Sequence, residues 1–447
     1  MSLYKFSIYT IATLALISCK PKFDLPDADK GNIDASNYVA LGGAMTAGYA
    51  NGGLYYEAQQ NSYANLLAEQ LKLVGGGDFK IPYASAGSIG VGIGVNKDTV
   101  APSVLGNRTD CQGTISLGPV KLATKGDASI LSYNVYSSQG PFSNMGVPDV
   151  KVIDMDVPGY SNPFYSRMAS SASSSVLSDA VAKNPTFFTV ALGLNDVLNY
   201  TLKGGTADAI TPIGGAVNVG FQASIHNIID KLTANGAKGV IANIPSIKTM
   251  AYFNTVAYNA LKIDATTAEN LNTFYGALNA SFTFNEGNNG FIISDTTQAL
   301  SGTLGRRPAV DGELILLNVP LDSIKCHKWG SLVPIPDRFS LTLYEINQIE
   351  NAINNYNLIL KNIANSKGLA FVDMNAFFAK IKSGYMYNGI SVNAAFVSGG
   401  AYSLDGLNLT PRGNALLANE FIKAINDTYQ SSIPHIEATK YPGVIFP

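Results

Sequence analysis

Histidine is scarce in this chain of 447 residues, which carries only three, at His226, His327 and His435. Cysteine is equally rare, with Cys19, Cys111 and Cys326, and no Cys/His spacing resembles a zinc site. No metal and no cofactor are therefore expected. Charged residues make up 14%, against roughly 25% in ordinary soluble domains. The formal net charge of -2 leaves no basic footprint for nucleic acid or for an anionic membrane surface. With so few charges, surface polarity must come from Asn, Ser, Thr, Tyr and Gly, which suits an extracytoplasmic protein.

The amino terminus is read as an address. Lys5 precedes an apolar run from Phe6 to Ile17, shorter than the roughly 20 residues that span a bilayer. Leu16-Ile17-Ser18-Cys19 follows, the pattern of a bacterial lipobox. Residues 1–18 are expected to be a signal peptide, with Cys19 the lipidated first residue of the mature chain and residues 19–34 a polar tether. The alternative is a plain secretory signal with a chance cysteine. Asp27-Ala28-Asp29-Lys30-Gly31 lacks the downstream ligands of a calcium loop and is read as tether. The expected location is the cell envelope, anchored by lipid on the periplasmic face or the cell surface, with the outer membrane favoured. In such an oxidising compartment Cys111 and Cys326 are expected to form a disulfide, two separate buried thiols being the other reading.

With 46% hydrophobic residues the chain can bury a large core. Short apolar runs at Asn37–Leu41, Lys80–Ser85, Thr186–Leu192, Gly239–Ile244 and Leu369–Asp373 read as strands. Helical patterns lie between them. One covers Asn61–Lys72, another starts at the capping box Thr342-Leu343-Tyr344-Glu345 and runs to Gly368, and a last opens with Thr410-Pro411. This alternation predicts an α/β fold with a parallel sheet between helix layers. A single domain is expected over 35–435, with insertions at about 91–179 and 252–339 and a tail at 436–447.

Val39 to Tyr49 has the form of a strand running into a nucleophile-bearing turn. Gly42-Gly43-Ala44-Met45, Ser85-Ala86-Gly87, Gly193-Leu194-Asn195-Asp196 and Asp405-Gly406-Leu407-Asn408 occur in that order along the chain. In these blocks the sequence resembles the SGNH (GDSL-type) ester hydrolases. The resemblance implies a three-layer, flavodoxin-like sheet and an ester-cleaving site. Its nucleophile would stand at Ala44, its oxyanion donors at Gly87 and Asn195, its acid at Asp405 and its base at Asn408. Two of those positions have lost their chemistry. A methyl group cannot attack an acyl carbon, and a carboxamide does not take up a proton near neutral pH. Thr46, Ser85 and Ser88 are the nearby hydroxyls, and using one would carry attack away from the oxyanion donors.

The expected function is thus a lipid-anchored pseudoenzyme that binds a glycan or an acyl ester. Tyr55, Tyr56 and Gln59 are the candidate ligand contacts, with packing the competing role for the tyrosines. Two alternatives stand beside it: an active esterase or acetylesterase using relocated groups such as His327, and a non-catalytic envelope protein that binds a partner.

Overall fold

The structure is a computed structural model and describes residues 27–94, 97–295 and 304–447. The expected signal peptide, Cys19 and the first part of the expected tether lie outside the described residues. Five short apolar runs form the central sheet: β1 (Tyr38–Gly42), β2 (Asn144–Gly146), β3 (Phe187–Ala191), β4 (Lys238–Ala242) and β5 (Ala370–Val372). All are parallel, in the order β5-β4-β3-β1-β2. A parallel strand covered on both faces needs apolar side chains on both, so β1 is buried at every position.

Six helices account for most of the covering: α1 (Tyr63–Lys72), α2 (Val176–Ala182), α3 (Asn195–Thr201), α4 (Phe221–Thr233), α5 (Leu343–Lys367) and α6 (Pro411–Tyr429). Helices α4 and α5 pack together through Phe221 and Tyr356, stacked with ring centroids 3.9 Å apart. On α1 and α6, Tyr63 stacks on Phe421 at 4.7 Å. The result is an all-parallel sheet flanked by helices, consistent with a three-layer α/β fold. The two expected caps form: the Thr342 N-H donates to Glu345 at 2.9 Å, and Thr410 accepts from the Gly413 N-H at 3.1 Å. Ser62 also caps α1.

One expected strand is absent, and another stands in its place. Lys80–Ser85 forms no strand: Pro82 has no N-H to give, and Gln59 takes the Pro82 carbonyl and the Ala84 N-H with its own amide. The sheet position beside β1 goes to β2, within the stretch expected as an insertion, and α2 lies in that stretch too. β2 carries a buried Asn144, whose amide nitrogen donates to the Thr46 carbonyl at 2.8 Å and whose oxygen accepts from the Gly146 N-H at 2.9 Å.

The stretch at 252–339 holds two hydrophobic clusters of its own, one around Ile293, Ile315 and Ile335 and one around Tyr275 and Phe284. Beside them Arg307 is buried between Asp295 and Glu313, at 2.7 and 2.6 Å. A two-stranded ribbon, Ser103–Thr109 with Ile115–Lys121, carries Cys111 at its turn. Cys111 is bonded to Cys326 at the end of the short helix Leu321–Cys326, and Lys325 pairs with Asp110 at 2.6 Å. Beyond α6, Ile436 and Ala438 are buried, and Asn419 bonds both backbone groups of Ile436.

The bridge joins residues 215 apart in sequence, so its loss frees a very long loop in the unfolded chain. Replacing both cysteines by serine is expected to lower the unfolding free energy by about 2–5 kcal/mol, read as a lower urea midpoint. An unchanged midpoint would show that the ribbon and the helix hold together without it.

Candidate functional site

Register brings the site together. Gly42 of β1 is level with Gly146 of β2 and with Ala191 of β3, so three adjacent strands end side by side. Ligand sites of open α/β sheets lie beyond such carboxyl ends. After β1 the chain makes one helical turn, Ala44–Ala47, closed by Gly48 at φ 79°. Gly42 must be glycine here, since a Cβ would fall 2.0 Å from the Thr46 Oγ1 and 2.9 Å from the Ala191 carbonyl oxygen. After β3, Gly193 takes φ 106° and α3 begins with Asn195. The buried Asn195 side chain donates to the Val150 carbonyl at 3.0 Å, and its amide nitrogen lies 3.2 Å from where a Cβ on Gly43 would stand. An aspartate at position 43 would therefore press on this amide.

The loop before α6 completes the arrangement. Asp405 accepts four N-H bonds: from Leu407 at 2.9 Å and Asn408 at 2.8 Å on one oxygen, and from Gly52 at 3.0 Å and the Asn408 side-chain amide at 3.0 Å on the other. Asn408 is held by the carboxylate as an imidazole would be, with a carboxamide in the imidazole's place. Its side-chain oxygen has no hydrogen-bond partner among the described residues.

Ala44, Asn195, Asp405 and Asn408 all line one cleft of about 250 Å³. Other candidates fall elsewhere. Gly87 lies in an exposed turn with φ 78° and does not line the cleft, so it supplies no donor there. Tyr55 lines a separate groove and accepts from the Asn51 amide at 2.7 Å. Tyr56 packs on Tyr83 with centroids 4.9 Å apart, and Gln59 is buried with both amide ends bonded to backbone. These three follow the nucleophile turn in sequence. Tyr49–Ala50 and Gly53–Leu54 pair antiparallel, however, and turn the chain away from the cleft.

One cleft residue escaped the sequence reading. Asp149, just beyond β2, lines the cleft in the left-handed conformation with φ 66°. That backbone is uncommon outside glycine, and Asn and Asp are the side chains that best tolerate it. No hydrogen bond or ion pair engages its carboxylate among the described residues. Asp149 is exposed to solvent, and the protein packed around it raises its pKa from the ordinary carboxylate value. The Tyr49 hydroxyl, also lining the cleft, is pushed well up by burial and then by the charges of Asp405 and Asp149. The only signal in the sequence was Pro148-Asp149 after an apolar stretch, and it gains meaning only once β2 is known.

The cleft is short of reactive groups. No serine, cysteine or histidine lines the cleft among the described residues. Thr46 is buried and shares a 2.9 Å hydrogen bond with the Tyr63 hydroxyl, Ser88 donates to Asp127 at 2.6 Å, and Ser85 is exposed elsewhere. His226, His327 and His435 are all exposed and away from it. Comparison of the chain with protein-family models, with curated proteins and with solved structures finds no match.

Asp196, next to Asn195 on α3, is buried. Burial pushes its carboxyl up to about 7, against the opposing bond it accepts from the Val152 N-H at 2.9 Å. A carboxyl whose folded pKa is raised keeps its proton in the native state while the unfolded chain has lost it. Stability therefore falls as pH rises from about 4 to about 7. Asp196→Asn is expected to match the wild type near pH 4 and to exceed it by about 3–4 kcal/mol at pH 8, read from urea midpoints. A difference independent of pH would contradict the buried, protonated state.

Proposed function

We propose that this chain has an SGNH-type fold whose cleft binds an acyl ester without hydrolysing it. One observation carries the reading: the Asn408 amide donates to Asp405 at 3.0 Å in a cleft that Ala44 and Asn195 also line. Acid, base position, nucleophile position and oxyanion amide meet in one place, and the two groups that would move protons or attack carbon are chemically silent. Three of the four blocks, spread over most of the chain, converge on this cleft while Ser85-Ala86-Gly87 lies outside it, and the convergence of the three supports the family resemblance.

The lining favours an acyl ligand over a glycan. Leu194, Leu198, Leu202, Ile244, Pro245 and Met374 give the cleft an apolar wall, while its polar groups gather near Ala44. A glycan would need aromatic faces to stack on: Tyr55 and Tyr56 lie outside, and of the two tyrosines that line the cleft, Tyr63 is buried with its ring stacked on Phe421 and Tyr49 is packed edge-on with Phe164. A catalytic version with relocated groups draws no support from the lining, which supplies neither a serine hydroxyl nor an imidazole.

A lipid anchor at Cys19 is part of the same proposal. Residues 29–32 dock on the far end of α6, where Asn32 donates to the Tyr429 carbonyl and Ser432 to the Asp29 carbonyl, both at 2.9 Å. Tyr429 in turn bonds Gly239 near the start of β4. The tether thus joins the domain at the amino ends of the strands, opposite the cleft, and an anchored protein presents its cleft away from that end.

Restoring the missing groups tests the reading. The wild type is expected to leave short-chain acyl esters at the buffer rate and to escape fluorophosphonate labelling. Ala44→Ser with Asn408→His, keeping Gly43, is expected to gain at least about tenfold over the wild type, with neither single change sufficient, because triad members act as a unit. Wild-type turnover well above buffer that Asn195→Ala abolishes would overturn it.

A further inference from the structure

The cleft carries an unpaired charge that ester hydrolysis does not call for. Asp149 and Asp405 both line it, and among the described residues no lysine, arginine or histidine does. The two carboxylates differ in what they have left to offer. Asp405 is saturated by its four N-H donors. Lys121, whose Nζ would lie 3.5 Å from a Cβ on Gly52, also acts on Asp405, the attraction partly offsetting the burial that lowers its own pKa. Asp149 has no hydrogen-bond or ion-pair partner among the described residues, and its charge acts on the Tyr49 and Tyr160 hydroxyls instead of on a cation. Its left-handed backbone fixes where the carboxylate stands, directly after Pro148 at the end of the edge strand.

A carboxylate accepts hydrogen bonds and repels other anions, most strongly where protein crowds out water. We propose that Asp149 selects the head group of the ligand: the cleft takes single-chain amphiphiles whose head donates hydroxyl hydrogen bonds, and it rejects those ending in carboxylate or phosphate. The inference rests on the proposed acyl-binding role of the same cleft and adds the chemistry of the polar end. The apolar wall from Leu198 to Met374 holds the chain. Asp149 accepts from a hydroxyl of the head, and the unpartnered Asn408 oxygen stands ready as a second acceptor. An anionic head would face Asp149 with no cation among the described lining residues to screen it, Lys121 being set against Asp405. This is discrimination by repulsion as much as by attraction.

The test compares 1-monodecanoylglycerol with decanoate on the full mature protein at pH 8, where Asp149 is charged, by isothermal titration below the micelle concentration of each. The wild type is expected to bind the glycerol ester at least about tenfold more tightly than decanoate. Asp149→Asn keeps a side chain that tolerates the left-handed backbone while removing the charge. It is expected to bring the two ligands within about threefold, chiefly by gaining decanoate. Asp149→Gly, which the same backbone also accepts, is expected to do likewise. Equal or tighter binding of decanoate by the wild type overturns the proposal, as does a preference unchanged in both variants. If the glycerol ester binds and the preference is absent, head-group selection alone fails. If neither ligand binds, the acyl-binding reading fails with it.

Discussion

The level ending of three parallel strands is the constraint on which the rest of this molecule depends. Because Gly42, Gly146 and Ala191 lie at one height in the sheet, the segments leaving them emerge around a single opening. The turn with Ala44 leaves β1, Asp149 follows β2, and Asn195 opens the helix after β3. A slip of one residue in any of these pairings would turn side chains to the opposite face and scatter the group. Tight backbone contacts hold that register, since a Cβ on Gly146 would lie 2.2 Å from the Ala47 nitrogen. The loop before α6 is then drawn in, with the Asp405 carboxylate accepting from the Gly52 N-H across 353 residues of sequence.

Much of this was legible in the residues, and where it was not there is a physical reason. β1, β3, β4 and β5 announce themselves because a strand buried on both faces must be apolar throughout. The caps at Thr342 and Thr410 are local chemistry and read directly. β2 is three residues long and contains a buried asparagine, so its place in the sheet comes from backbone pairing that composition does not record. Asp149 was hidden for the same reason: its backbone conformation and its outlook follow from a strand that was itself illegible. Tyr55, Tyr56 and Gln59 were chosen for closeness in sequence, and the reversal between Tyr49 and Leu54 defeats that inference. Gly87 was a glycine in a turn, and remained one.

In the proposed SGNH reading, the chemistry of the cleft follows from substitutions that preserve hydrogen bonding while removing reactivity. Asn408 keeps the donor that satisfies Asp405, so the carboxylate stays bonded and the loop stays closed. Ala44 keeps the small volume at the start of its turn and gives up the hydroxyl. Asn195 remains against the backbone of that turn, its amide donating to the Val150 carbonyl. What remains is a preorganised, largely apolar recess with hydrogen-bonding groups at one end, which is the description of a binding site. The two carboxylates at that end divide the work, one internal and bonded, the other open to whatever enters.

The central claim is that an ester enters this cleft and leaves it unchanged. The direct measurement is to titrate the wild-type mature protein with 1-monodecanoylglycerol, recover the ligand after prolonged incubation and weigh it by mass spectrometry. The account predicts saturable binding at one site, weakened by Ala44→Phe, with the ester recovered intact. Release of free decanoate faster than in buffer, or binding that ignores a phenyl ring placed at position 44, would contradict it.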